Sequence, residues 1–181
     1  MVGLGGLYDF VQPREFVMCP EPVSRTLSAE MLDGEGSVKS VGELLEGYHK
    51  RRQNPAERFD IIGGILEINL DGAREELEFF LVHVLERDED PVIRHEAAFV
   101  LGKLKDRNTI DGNLASMALC LAASEDVSLI VRHEALEALC CFEGKVVGEL
   151  LERFSDHENA DIRATSAISF TTWKAQPDGV K

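Results

Sequence analysis

From about Ser40 onward the chain places apolar residues three and four positions apart, as in Leu77, Phe80, Leu81, Val84 and Leu85. That spacing puts them on one face of an α-helix. Polar breaks separate these stretches at Asn54-Pro55, Asp71-Gly72, Asp90-Pro91, Asp111-Gly112, Gly144 and Asn159. Pro55 and Pro91 suit a first helical turn, where a missing N–H costs nothing. Asn54 and Asp90 stand just before them as N-caps. Residues 1–40 differ, because Gly3, Gly5, Gly6, Pro13, Pro20, Pro22, Gly34 and Gly36 interrupt every candidate helix. The expectation there is an irregular N-terminal arm with a short helix near Ser28 to Leu32. The pattern leaves open whether the arm is disordered or packs along the helices.

The helical stretches repeat. PAERFDIIGGIL, PVIRHEAAFVLGKL, LIVRHEALEALCCF and ADIRATSAISFTTW align with an arginine in the same place: Arg58, Arg94, Arg132 and Arg163. Their separations are 36, 38 and 31 residues. An amphipathic helix precedes the later units, at Glu75 to Arg87, Leu114 to Ala123 and Val146 to Phe154. One such hairpin cannot bury its apolar face alone, so neighbours stack into a solenoid. The expected fold is all-α, a HEAT-like repeat solenoid of about four helical hairpins. The expected boundaries are 1–40 for the arm, 41–175 for the repeats and 176–181 for a tail. The repeated arginine is expected to pair with a carboxylate of a neighbouring hairpin.

Composition narrows the partners. The net charge is -14 and the pI about 4.7. A binder of phosphate backbones is normally basic on its working face, so nucleic acid is an unfavourable partner and a basic protein a better one. Cys19, Cys120, Cys140 and Cys141 form no C-x-x-C pair, and the last three sit in apolar helical runs. There a free cysteine behaves as a small hydrophobe, which points to a reducing, cytoplasmic setting. The start, MVGLGGLYDF, lacks the basic region of a signal peptide. No apolar run approaches the ~20 residues that span a bilayer.

Two middle repeats carry Arg-His-Glu: Arg94-His95-Glu96 and Arg132-His133-Glu134. The outer two have Phe59-Asp60 and Ala164-Thr165 there instead. Stacked helices lie about 8–10 Å apart, so His95 and His133 should project side by side, within about 10 Å of each other. With Glu96 and Glu134 they form a candidate metal set. Two histidines and a carboxylate suit non-haem Fe(II). The helix N-terminal dipole should keep both imidazoles neutral, as a ligand must be. His83, inside an apolar run, is expected to be a partly buried packing residue, and His157, in a polar break, to be solvated. Cys140-Cys141 is expected in the core rather than in redox chemistry.

On ERFDIIGGIL, DPVIRHEAAFVLGKLKD, VRHEALEAL and the closing repeat through Trp173, the chain resembles one half of the deoxyhypusine hydroxylase family, a group of HEAT-repeat di-iron monooxygenases. A looser resemblance is to phycobilin-lyase-type HEAT repeats. The first resemblance implies iron held by His95, His133 and Glu134, with Glu96 facing the substrate side chain or a bridging solvent. It implies hydroxylation of a deoxyhypusine-type lysine on a translation factor. The family has four such motifs in one chain and this chain has two, so a di-iron site would need a homodimer, most simply one with a twofold axis. The alternative expectation is a non-catalytic HEAT-repeat adaptor that grips a partner protein.

Overall fold

The structure is a computed structural model that describes residues 41–50, 54–67, 74–106 and 112–176. The expected helix near Ser28 to Leu32 lies outside the described residues, as does the tail beyond Gln176. Among the described residues there are eight α-helices and no strand. They are α1 (Val41–Lys50), α2 (Pro55–Gly64), α3 (Arg74–Arg87), α4 (Pro91–Asp106), α5 (Asn113–Glu125), α6 (Leu129–Leu139), α7 (Lys145–Phe154) and α8 (Ala160–Lys174). A short 3-10 turn, Ile65–Glu67, follows α2.

The helices pair as hairpins α1–α2, α3–α4, α5–α6 and α7–α8, and the hairpins stack in chain order. Odd-numbered helices pack on odd-numbered ones and even on even, which gives two layers. The core lies between them. Leu77, Phe80, Leu81, Ile93, Leu101, Leu119, Leu136 and Phe142 are fully buried there.

Local chemistry starts and ends these helices where the breaks stand. Asn54 Oδ1 accepts from the Glu57 N–H, Asp90 Oδ1 from Val92, and Asn159 Oδ1 from Asp161 and Ile162. α5 begins differently. Gly112 has φ +85°, a conformation that glycine adopts without strain, and it has no capping side chain. Glu78 of α3 does the work instead. Its buried carboxylate accepts from the N–H groups of Gly112 at 3.0 Å and Ala115 at 2.8 Å. One hairpin therefore caps the first helix of the next.

Two small residues set how closely helices approach. A Cβ at Gly102 would meet the Ala138 Cβ at 3.0 Å, so α4 and α6 touch nearly backbone to backbone. Gly148 of α7 lies under the Trp173 ring, which leaves no room for a Cβ. Trp173 donates from Nε1 to the Phe142 carbonyl at 3.0 Å, which ties α8 to the end of α6. Gln176 continues this contact, donating from Nε2 to the Cys140 carbonyl. The packed chain thus extends to the first residue of the expected tail.

Candidate functional site

The turns inside the hairpins carry one polar device repeated along the stack. The residue six before Arg94, Arg132 and Arg163 accepts from a backbone N–H two residues on. Asp88 Oδ1 accepts from Asp90, Asp126 Oδ1 from Ser128, and His157 Nδ1 from Asn159. The preceding hairpin's arginine reaches the same side chain. Arg58 Nη1 lies 2.5 Å from Asp88 Oδ2. Arg94 grips Asp126 with Nε and Nη2, each at 2.8 Å. Arg132 Nη2 lies 3.2 Å from His157 Nε2. The expected repeat-to-repeat carboxylate pairing is thus present at Arg58 and Arg94. Tyr48 adds its hydroxyl to Asp88.

The last two rungs correct expectations. Arg163 meets no carboxylate among the described residues. Its Nη1 donates to the carbonyls of His157 at 2.6 Å and Glu158 at 3.3 Å, as Arg94 Nη1 does to Asp88 and Glu89. His157 is half-buried rather than solvated: its ring stacks on Phe154 and stands where the other turns use aspartate. His83, expected to be partly buried, is exposed on α3 opposite His49 of α1, because the apolar residues around it turn the other way.

A second row runs beside the arginines. His95 and His133 hold equivalent positions on the adjacent helices α4 and α6. Each points towards the residue two past the arginine of the following hairpin. His95 Nε2 lies 3.2 Å from Glu134 Oε2. That oxygen is buried and has no well-directed hydrogen bond, so the two side chains are in contact without one. His133 Nδ1 lies 2.6 Å from Thr165 Oγ1, and its Nε2 lies 3.3 Å from Glu137 Oε1 on its own helix. Glu96 is buried within α4.

The four candidate ligands therefore separate. His95 joins Glu134, while His133 turns to Thr165 and Glu137. Among the described residues no three His, Cys, Asp or Glu side chains gather as metal ligands would. As placed, His95, His133 and Glu134 do not fit a three-ligand iron centre. To join one, His133 would have to leave both of its partners. Sequence reasoning passed over Glu137 and Thr165, although Glu137 stands four residues beyond His133, one helical turn.

The electrostatics follow this geometry. The Glu137 carboxylate raises the proton affinity of His133 above the ordinary imidazole value, against the opposing effect of burial. This acts against the helix dipole, which favours the neutral imidazole. Burial alone would push the Asp126 carboxyl up. The Arg94 hydrogen bonds, the Ser128 N–H and the nearby guanidinium charges hold it below the usual carboxylate range. Cys140 and Cys141 are half-buried against the core, with their sulfurs 4.0 Å apart and unjoined.

A two-layer stack of hairpins joined by forward-reaching arginines defines a helical-repeat protein. The family model for HEAT repeats matches residues 78–171, and the chain belongs to that family. No curated protein and no solved structure matches it. Among the described residues no helix is long and apolar enough to cross a membrane.

Proposed function

We propose that the chain is a protein-binding HEAT scaffold whose working surface is the ridge formed by its hairpin turns. One observation carries this reading: exposed apolar residues stand on that ridge among acidic ones. Val127 is 95% exposed, and Val92, Leu129 and Ile130 are exposed beside it at the starts of α4 and α6. Glu89 and Glu125 are exposed in the same two turns, and Asp156, Glu158 and Asp161 are exposed in the next turn and the first turn of α8. The Arg94–Asp126 pair joins the α3–α4 turn to the α5–α6 turn, so the ridge is continuous beneath these side chains. An apolar strip with an acidic border suits a basic partner segment that also offers apolar side chains. The net charge of -14 favours the same partner.

The test compares partners recovered from cells by the wild-type chain, by V127S/I130S and by E125K/E158K. A genuine partner is lost from both variants and weakens as salt screens the acidic border. Equal recovery by all three chains overturns this surface.

A second reading keeps the iron-dependent deoxyhypusine-type hydroxylase that the Arg-His-Glu motifs resemble, acting as a homodimer on a basic translation factor. The observation that favours it is the His95–Glu134 pair, where a buried carboxylate oxygen lacks a well-directed donor. Iron, when bound, would supply the dioxygen chemistry; His95 and Glu134 are the candidate ligands already adjacent, and His133 would have to leave Thr165 and Glu137 to join them. Elemental analysis decides it. H133A should lose most of the iron that H83A retains, and equal iron in both variants removes the reading.

A further inference from the structure

The outer face of the odd-numbered layer carries a second apolar surface, which the turn ridge does not use. α5 shows Leu114, Met117 and Leu121 on one exposed side, and no charged residue interrupts the helix before Glu125. Met117 is 72% exposed, and on the neighbouring α3 Phe79 is 64% exposed. A cleft of about 680 Å³ crosses α1, α3 and α5 here, lined by Gly42, Leu45, Glu75, Phe79 and Leu114. Soluble chains seldom leave an apolar surface of this kind without an occupant.

The cleft begins where α1 begins. Gly42 lines it, and the first forty residues join the helix one position earlier, at Val41. The early part of that segment is apolar, with Leu4, Leu7, Tyr8, Phe10 and Val11 close together. Asp9, Arg14 and Glu15 are its only charged side chains before Cys19. Chain that stays in water has the opposite composition, low in hydrophobicity and high in net charge. Residues 4–11 carry a single charged side chain, Asp9, so an almost wholly uncharged segment meets the cleft and the acidic residues beside it, Glu75 and Glu76.

We infer that residues 4–11 of the same chain occupy this cleft, with Leu4, Leu7, Tyr8 and Phe10 against Phe79, Leu114 and Met117. The tether favours this occupant over a separate molecule. The thirty residues from Val11 to Val41 span roughly 30 Å as a coil, at about 5–6 Å times the square root of their number. The cleft starts beside the anchor point, well within that reach. Tethering of this kind gives an effective concentration on the order of millimolar, far above that of a free partner of equal affinity.

The experiment uses the full chain with a photo-crosslinking amino acid in place of Met117, and a control chain with it in place of Lys103, exposed on the other layer. Each is irradiated at high dilution and the joined peptides are mapped. The expected result is intrachain products between position 117 and residues 1–18, at least tenfold more abundant than from position 103. The L7S/F10S variant, altered outside the helical core, should cut that yield at least tenfold. Products that join two chains and grow with concentration would assign the cleft to a second copy and overturn the inference. Products that include no residue of the first forty would overturn it as well. The V127S/I130S chain should crosslink as wild type does, so this test and that of the turn ridge fail independently.

Discussion

Removing the Asp126 carboxylate tests whether the arginine ladder supports the stack or merely decorates it. In Asp126→Ala, Arg94 keeps its carbonyl contacts to Asp88 and Glu89 but loses both charge-assisted bonds to the next hairpin. The side chains of the pair are only 10% and 9% exposed, so water replaces little of what is lost. Breaking one side of a buried pair costs about 3–5 kcal/mol, and the residual exposure puts this one near the lower figure, about 3 kcal/mol. The backbone N–H of Ser128 also loses its acceptor, which costs about 1 kcal/mol unless water reaches it. For a repeat domain of this size the fall in Tm should be about 10–15 °C. The assay is thermal and urea unfolding of the full chain, with Lys145→Ala as the reference. That lysine makes an exposed pair with Glu149, and its loss should cost less than about 0.5 kcal/mol. A double-mutant cycle with Arg94→Met then isolates the coupling, expected above about 1.5 kcal/mol. The sign with pH is fixed by the depressed Asp126 carboxyl. Its contribution is full above the unfolded carboxylate pKa and disappears as pH falls through the lower folded value. A cost for Asp126→Ala no larger than that of Lys145→Ala would refute the reasoning.

Three further outcomes follow from the same geometry. Glu78→Ala should lower stability by about 2–3 kcal/mol in urea unfolding, because it strips two buried N–H groups of their acceptor, whereas Glu78→Gln should retain part of it. Gly148→Ala should cost about 1–3 kcal/mol and shift Trp173 fluorescence, since the added methyl displaces that ring. The stabilisation from His133 and Glu137 should be present below the unfolded imidazole pKa and fade as pH rises through the higher folded value; the stability difference between wild type and His133→Ala, followed across that range, should shrink accordingly.

The breaks at Asn54, Asp90 and Asn159 were legible in the sequence because each has a local cause. Asn54, Asp90 and Asn159 cap helices through atoms a few residues away, and local pattern is enough to find such residues. The repeated arginine was legible as a repeat because four copies stand in register. Its partners were less so, because Asp88 and Asp126 lie about thirty residues further on and are known only once the hairpins stack. The same limit applies to the histidines. Sequence placed His95 and His133 on equivalent positions, yet side-chain direction decided their company: Glu134 for one, Thr165 and Glu137 for the other. His157 shows the difficulty most plainly. Its immediate neighbours, Asp156 and Glu158, are polar, and only the fold turns its ring back onto Phe154, three residues earlier, and sets Arg132 against it.

Because Arg58, Arg94 and Arg132 each reach towards the carboxyl end of the chain, the stack has a direction, and its two ends should fray unequally. Loosening α7 and α8 takes His157 away from Arg132, but that guanidinium keeps the Ala123 carbonyl within its own hairpin and becomes a solvated cation much like Arg163. Loosening α1 and α2 withdraws Arg58 and Tyr48 from Asp88 and leaves a formerly shielded carboxylate close to Asp90. The first opening sets free a donor that has a carbonyl seat waiting, while the second strands an anion beside another. Hydrogen exchange should therefore advance inward from α8 before it does so from α2, with Arg94 and Asp126 guarding the slowest amides between them.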